Sequence, residues 1–153
     1  MTQRLDIDAL HEIPLCAGHN LRRTTRAVTQ HFDERLRQVG LRVSQFIILG
    51  TLAHVEAATA APLTMTELAE RLLVDRTTLA RNLRPLERDG LVHAAPGEDR
   101  RTRLVRLTDQ GHAKLVEGFP FWQEAQAQVV AALGSDRWDR LRSELYELAA
   151  VVQ

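Results

Sequence analysis

Residues 63–111, LTMTELAERLLVDRTTLARNLRPLERDGLVHAAPGEDRRTRLVRLTDQG, decide the fold of this 153-residue chain. Thr64 followed three residues later by Glu67 is a capping box, in which each side chain satisfies a backbone N–H of the other. It opens a short helix from Met65 to about Leu72, with Leu68 and Leu72 on one face. Leu73-Val74 makes a turn, and Asp75, a residue type favoured at helix N-caps, starts a second helix from Arg76 to about Asp89. Leu79, Leu83 and Leu86 recur at helical spacing along it, and Gly90 stands where a left-handed closing residue is expected. Pro85 falls in the C-terminal half of this helix and reads as a local bend.

After Gly90 the apolar period shortens from near 3.6 to near 2. Leu91 to Ala95 and Thr102 to Leu107 read as two strands around the turn Pro96–Arg101. The second helix carries Arg76, Thr77, Thr78, Arg81, Asn82, Arg84 and Arg88 on its polar side, and the hairpin carries Arg100 and Arg101 at its tip with Arg103 behind. Long donors on one helix face suit phosphates and base edges in a major groove, and a basic hairpin suits the adjacent minor groove. The pattern implies a mainly α fold with a small β-wing, a winged helix-turn-helix whose partner is double-stranded DNA.

The runs TELAERLLVDRTTLARNLRPLERDGLV and GEDRRTRLVRLTDQG resemble the MarR family of bacterial transcription regulators, in which an Asp-x-Arg wing precedes a strand ending in Leu-Thr-x-x-Gly. Here those residues are Asp99, Arg101, Leu107, Thr108 and Gly111. Asp99 reads either as an ordinary turn residue or as a partner of Arg101 or Arg103, and the resemblance favours the second, with Arg101 as the minor-groove arginine. It also implies dimerisation through the first and last helices, and response to a small-molecule effector.

The chain is 44% hydrophobic, enough for one domain-sized core, and is expected to form a single domain over 1–153. Within it, about 44–108 is the winged helix-turn-helix, and about 10–40 and 109–153 are dimerisation helices. No apolar run reaches membrane-spanning length, and MTQRLDIDALHEI lacks the basic start and apolar core of a signal peptide, so a cytoplasmic location is expected. One cysteine fits that compartment. A net charge of zero conceals a segregated pattern. From Arg71 to Arg106 nine arginines face five carboxylates, whereas from Asp109 onward seven carboxylates face four basic residues. Positive charge is therefore concentrated at the helix-turn-helix and wing.

The first long helix is expected from about Leu15 to Val39, with Leu21, Val28, Phe32, Leu36 and Val39 on its apolar side and Gly40 as its stop. Its other face, Arg22, Arg23, Arg26, Arg35 and Arg37, reads as solvated. Ser44 is expected to cap a helix over Gln45 to Ala58 that is apolar nearly all round, including Phe46, Ile47, Ile48, Leu49 and Leu52. Beyond the wing, Thr108 caps a helix from Asp109 to Leu133-Gly134, with a kink expected near Gly118 and Pro120. Ser135 then caps a last helix, Asp136 to Val152, striped with Trp138, Leu141, Leu145, Leu148 and Val152. Those stripes exceed what one winged helix covers; a two-fold dimer interface or intrachain packing would bury them.

No enzyme motif is present. His11, His19, His31, His54, His93 and His112 form no pair, and Cys16-x-x-His19 lacks the second pair of ligands a metal site requires, so neither metal nor cofactor is expected. Cys16 reads either as a small buried hydrophobe or as a redox sensor. Organic-peroxide regulators of the MarR family place a cysteine near this position but support it with tyrosines, and the only tyrosine here is Tyr146. The reading that results is a homodimeric repressor released from a pseudo-palindromic operator by an effector held near Arg23, Phe46 and Trp122. Its alternatives are a thiol switch at Cys16 and a dimeric interaction module without DNA binding.

Overall fold

The computed structural model describes residues 8–97, 99 and 102–152. A 3-10 segment, Asp8–Leu15, leads into α1 (Ala17–Leu36), which ends in a 3-10 turn, Arg37–Val39. Then follow α2 (Val43–Thr59), β1 (Leu63–Thr64), α3 (Met65–Leu72), α4 (Arg76–Arg88), β2 (Val92–Pro96), β3 (Arg103–Leu107), α5 (Asp109–Leu133) and α6 (Ser135–Val151).

Local chemistry sets the boundaries of the central unit. Thr64 Oγ1 accepts from the Glu67 N–H at 3.1 Å while Glu67 Oε2 accepts from the Thr64 N–H at 2.8 Å, and the bonds from Thr64 hold the Glu67 carboxyl below its ordinary pKa. Asp75 Oδ1 accepts from the Thr78 N–H at 2.8 Å, closing the N-terminus of α4. Three helical segments end by one hydrogen-bond pattern, in which the residue past the turn donates five residues back: Leu41 to Leu36, Val74 to Ala69 and Leu91 to Leu86. Gly40 and Gly90 supply the left-handed conformation at φ 72° and 70°; at the α3–α4 turn Leu73 adopts it at φ 52°, at a steric cost of about 1 kcal/mol.

The sheet order is β1-β3-β2, antiparallel throughout, with Val92 opposite Leu107 and Leu63 opposite Val105. The hairpin is the expected wing; β1 is an addition, because two residues carry no readable alternation. α2 is the expected hub, burying Phe46, Ile48, Leu49, Leu52 and Val55, with Ile47 outward. One core joins these residues to Leu36 of α1, Leu68 of α3, Leu79, Leu83 and Leu86 of α4, and Val105 of β3.

Several expectations change. Ser44 does not cap α2, which begins at Val43: the Val43 N–H donates to Asp33 Oδ1 at 2.7 Å and the Arg42 N–H to Gln45 Oε1 at 2.9 Å. Ser44 instead donates to Asn82 Oδ1 at 3.1 Å, joining α2 to α4. α5 keeps its expected extent, Asp109 to Leu133, with Gly118 and Pro120 inside it. Gly118 has a packing reason: a Cβ there would stand 3.2 Å from two ring carbons of Phe46. The apolar side of α1 is buried only from Phe32 onward, and α6 buries no residue fully.

Candidate nucleic-acid interface

α4 has two unlike faces. Leu79, Leu83 and Leu86 are buried, whereas Arg76, Thr77, Arg81 and Arg84 are exposed. The sequence grouped Thr78 and Asn82 with the exposed set, but both are half-buried and engaged. Thr78 Oγ1 donates to Asp75 Oδ2 at 2.6 Å, and Asn82 Nδ2 donates to the Thr78 carbonyl at 3.0 Å while its Oδ1 accepts from Ser44. These two side chains rigidify the start of α4 and fix it against α2. Both bonds to Asp75 depress its carboxyl pKa, with the Thr78 hydroxyl the larger cause.

The wing is tied to α4 by an ion pair, Arg103 Nη2 to Glu87 Oε1 at 2.7 Å. Arg103 therefore serves as a tether between wing and helix. At the tip, the Thr102 N–H donates to the Asp99 carbonyl at 2.8 Å and the Gly97 N–H to the Thr102 carbonyl at 2.8 Å, closing the turn with Asp99 exposed. Arg100 and Arg101 lie outside the described residues. Glu56, near the end of α2, accepts from the Leu107 N–H at 2.9 Å and anchors the wing base to α2. Nothing at i±4 spacing advertises a contact spanning 51 residues.

Of the three proposed effector-lining residues, two meet. Phe46 and Trp122 stack with ring centroids 6.0 Å apart, beside a cleft of about 460 Å³ that also involves Gly50, Thr51, His54 and Arg71. Arg23 does not line that cleft; Arg71, at the end of α3, supplies its guanidinium. Trp138 is half-buried, while Leu141, Leu145 and Leu148 are 37–40% exposed, an apolar stripe that the single chain leaves open. Cys16 is exposed at the N-cap of α1, which overturns its reading as a buried hydrophobe. No three potential metal ligands cluster among the described residues, and none of their helices is long and apolar enough to cross a membrane.

Residues 39–102 match the MarR family model. Over 99 residues the chain is 32% identical to YwoH, an uncharacterized helix-turn-helix-type transcriptional regulator of Bacillus subtilis strain 168, covering 65% of this chain and 69% of that protein. The chain belongs to the MarR family. Its fold also superimposes on the M. tuberculosis transcriptional regulator MosR in complex with DNA, with 38% identity, a TM-score of 0.79 and coverage of 90% and 96% of the two chains. CouR, a transcriptional repressor solved on a 23-mer DNA duplex, gives 28% identity, a TM-score of 0.76 and coverage of 96% and 99%. The MarR relatives are DNA-binding transcription regulators, not enzymes.

The structure gives the Leu-Thr-x-x-Gly element of this MarR protein a physical meaning. Leu107 is buried in the core, and Thr108 Oγ1 accepts from the Gly111 N–H at 2.9 Å to cap α5. The same hydroxyl lies 2.7 Å from the Gly90 carbonyl, to which it donates, and the Thr108 N–H donates to the Leu91 carbonyl at 3.2 Å. Gly111 is buried so closely on Leu91 that a Cβ would overlap the Leu91 carbonyl oxygen. One short motif thus fixes the end of α4, the end of the wing and the start of α5 to one another.

Proposed function

We propose that this MarR protein is a homodimeric, sequence-specific DNA-binding repressor, working in the cytoplasm and released from a pseudo-palindromic operator by a small-molecule effector. The carrying observation is the outer face of α4, where Arg76, Thr77, Arg81 and Arg84 project from a helix locked by Asp75, Thr78 and Asn82. Arg76, Thr77 and Arg81 near its N-terminus read base edges, and Arg84 holds phosphate. The wing, with Asp99, Arg100 and Arg101, enters the minor groove, an assignment supported by the family resemblance and by the tether through Arg103. The stripe Trp138, Leu141, Leu145, Leu148 joins the protomers together with α1, in a single domain whose terminal helices are the dimerisation unit.

The effector binds beside Phe46 and Trp122, with Arg71 opposite the apolar wall. A protein of the same fold, CouR from Rhodococcus jostii RHA1, has been solved with p-coumaroyl-CoA, which is consistent with an organic effector here. Footprinting on DNA upstream of the protein's own gene tests the proposal. Protection of a two-fold symmetric site is expected; uniform protection along the DNA, with no site protected at lower protein concentration than the rest, would overturn it.

A further inference from the structure

A groove of about 780 Å³ lies apart from the aromatic cleft. Arg26 and Asp33 enter it from one face of α1, and Arg37 from the 3-10 turn that continues it, at spacings of seven and four residues. Arg42 and Gln45 enter it from the N-terminus of α2, and Arg88 and Asp89 from the end of α4. Four guanidinium groups therefore share one groove with two carboxylates. Asp33 accepts the Val43 N–H at 2.7 Å but keeps its charge, and Asp89 pairs with Arg88 at 2.9 Å, so four guanidinium groups against two carboxylates leave the groove two positive charges in excess. Arg26, Arg37 and Arg42 have no ion pair or side-chain hydrogen bond to any described residue.

Arg26, Arg37 and Arg42 line the groove with their donors unspent, and an anion balances the excess positive charge while accepting those planar, two-pronged donors. The N-terminus of α2 adds its positive dipole end to the same space, opposed in part by the C-terminal end of α4. We propose that this groove is a binding site for a small anion with two or more negative charges, a phosphoryl or polycarboxylate group, bridging α1 to the end of α4. Arg37 and Arg42 clasp it from opposite sides of the Gly40 turn, and Arg26 closes the outer end.

Isothermal titration of the full chain with inorganic pyrophosphate at fixed ionic strength tests the site. Saturable binding at one site per chain is expected, weakened at least roughly tenfold in Arg37→Gln/Arg42→Gln and unaltered in Arg137→Gln/Arg140→Gln, which removes equal charge from α6. Arg42→Gln alone, expected to show an intermediate loss, serves if the double variant does not fold. Absence of saturation, or equal weakening in both double variants, overturns the proposal. Duplex DNA supplies the other arm: if the groove instead held DNA phosphates, Arg37→Gln/Arg42→Gln would lower the slope of log K against log salt by about 0.9 per arginine. The proposal requires that slope to remain unchanged.

Discussion

Gly111→Ala adds one methyl group and should damage the junction of α4, wing and α5. The new Cβ would overlap the Leu91 carbonyl oxygen and lie 2.7 Å from Leu107 Cδ1, against an optimum of about 3.5–4.0 Å for carbon pairs. Relief requires the Leu91 backbone and the start of α5 to separate. Overpacking of a buried site costs about 1–3 kcal/mol, and each of the Thr108 bonds to Gly90 and Leu91 lost in the separation adds about 1 kcal/mol. Alanine recovers up to about 1 kcal/mol of helix propensity, leaving a net loss of about 3 kcal/mol. For a chain of this length that lowers Tm by roughly 6–12 °C. The control is the same chemical change at Gly50, inside α2, where a Cβ meets nothing closer than Leu115 Cδ1 at 3.9 Å; it should stabilise by about 0.5–1 kcal/mol. Thermal unfolding of all three proteins at one concentration decides the matter. A Gly111→Ala protein as stable as wild type would refute the argument from close approach.

Light scattering at micromolar concentration should give twice the chain mass, and Leu141→Glu/Leu145→Glu should reduce it to one, since charge on the open stripe of α6 cannot be buried against a second copy. A double-mutant cycle on Glu87→Ala and Arg103→Ala should show a coupling of about 0.2–1 kcal/mol in stability, the range for an exposed ion pair, with either variant weakening DNA binding by loosening the wing; additive effects would remove the tether. The Asp75 carboxyl titrates below its ordinary value of 3.8, so its contribution to α4 is fully present above that pH and is lost as pH falls through the lower, folded value. Relative to Asp75→Asn, which caps without titrating, wild type should therefore lose stability between about pH 5 and pH 2, and parallel curves would contradict the assignment.

What could be read from the sequence was mostly what local geometry writes within three or four residues. The Thr64–Glu67 box, the Asp75 cap, the Gly90 stop and the Thr108 cap all stand as expected because each joins groups that are neighbours in any helix end. Contacts across the fold were not legible. β1 exists through its pairing with β3, and two residues cannot announce it. Ser44 was taken for a cap because serine commonly is one, yet its partner Asn82 lies 38 residues away. Gly118 was legible only as a helix interruption beside Pro120, and its close approach to the Phe46 ring, from another helix, was not. The site divides in the same way. Arg76, Thr77, Arg81 and Arg84 face outward as helical periodicity requires, but Thr78, Asn82 and Arg103 are held by partners that periodicity does not reveal. Arg71 at the end of α3 stands in the aromatic cleft where Arg23 was expected, a juxtaposition with residues of α2 and α5 that only the tertiary fold sets.

The claim on which the account rests is that the exposed N-terminal half of α4 reads base sequence. DNA selected by the purified protein from a random library, titrated beside a scrambled duplex, measures this directly for wild type, Arg81→Ala and Arg84→Ala. Wild type should enrich a two-fold symmetric sequence. Arg81→Ala should lose about 1–3 kcal/mol of discrimination per half-site, and Arg84→Ala should weaken both duplexes alike. If Arg81→Ala keeps the wild-type ratio of selected to scrambled affinity, or if no sequence is enriched, α4 is not the recognition helix.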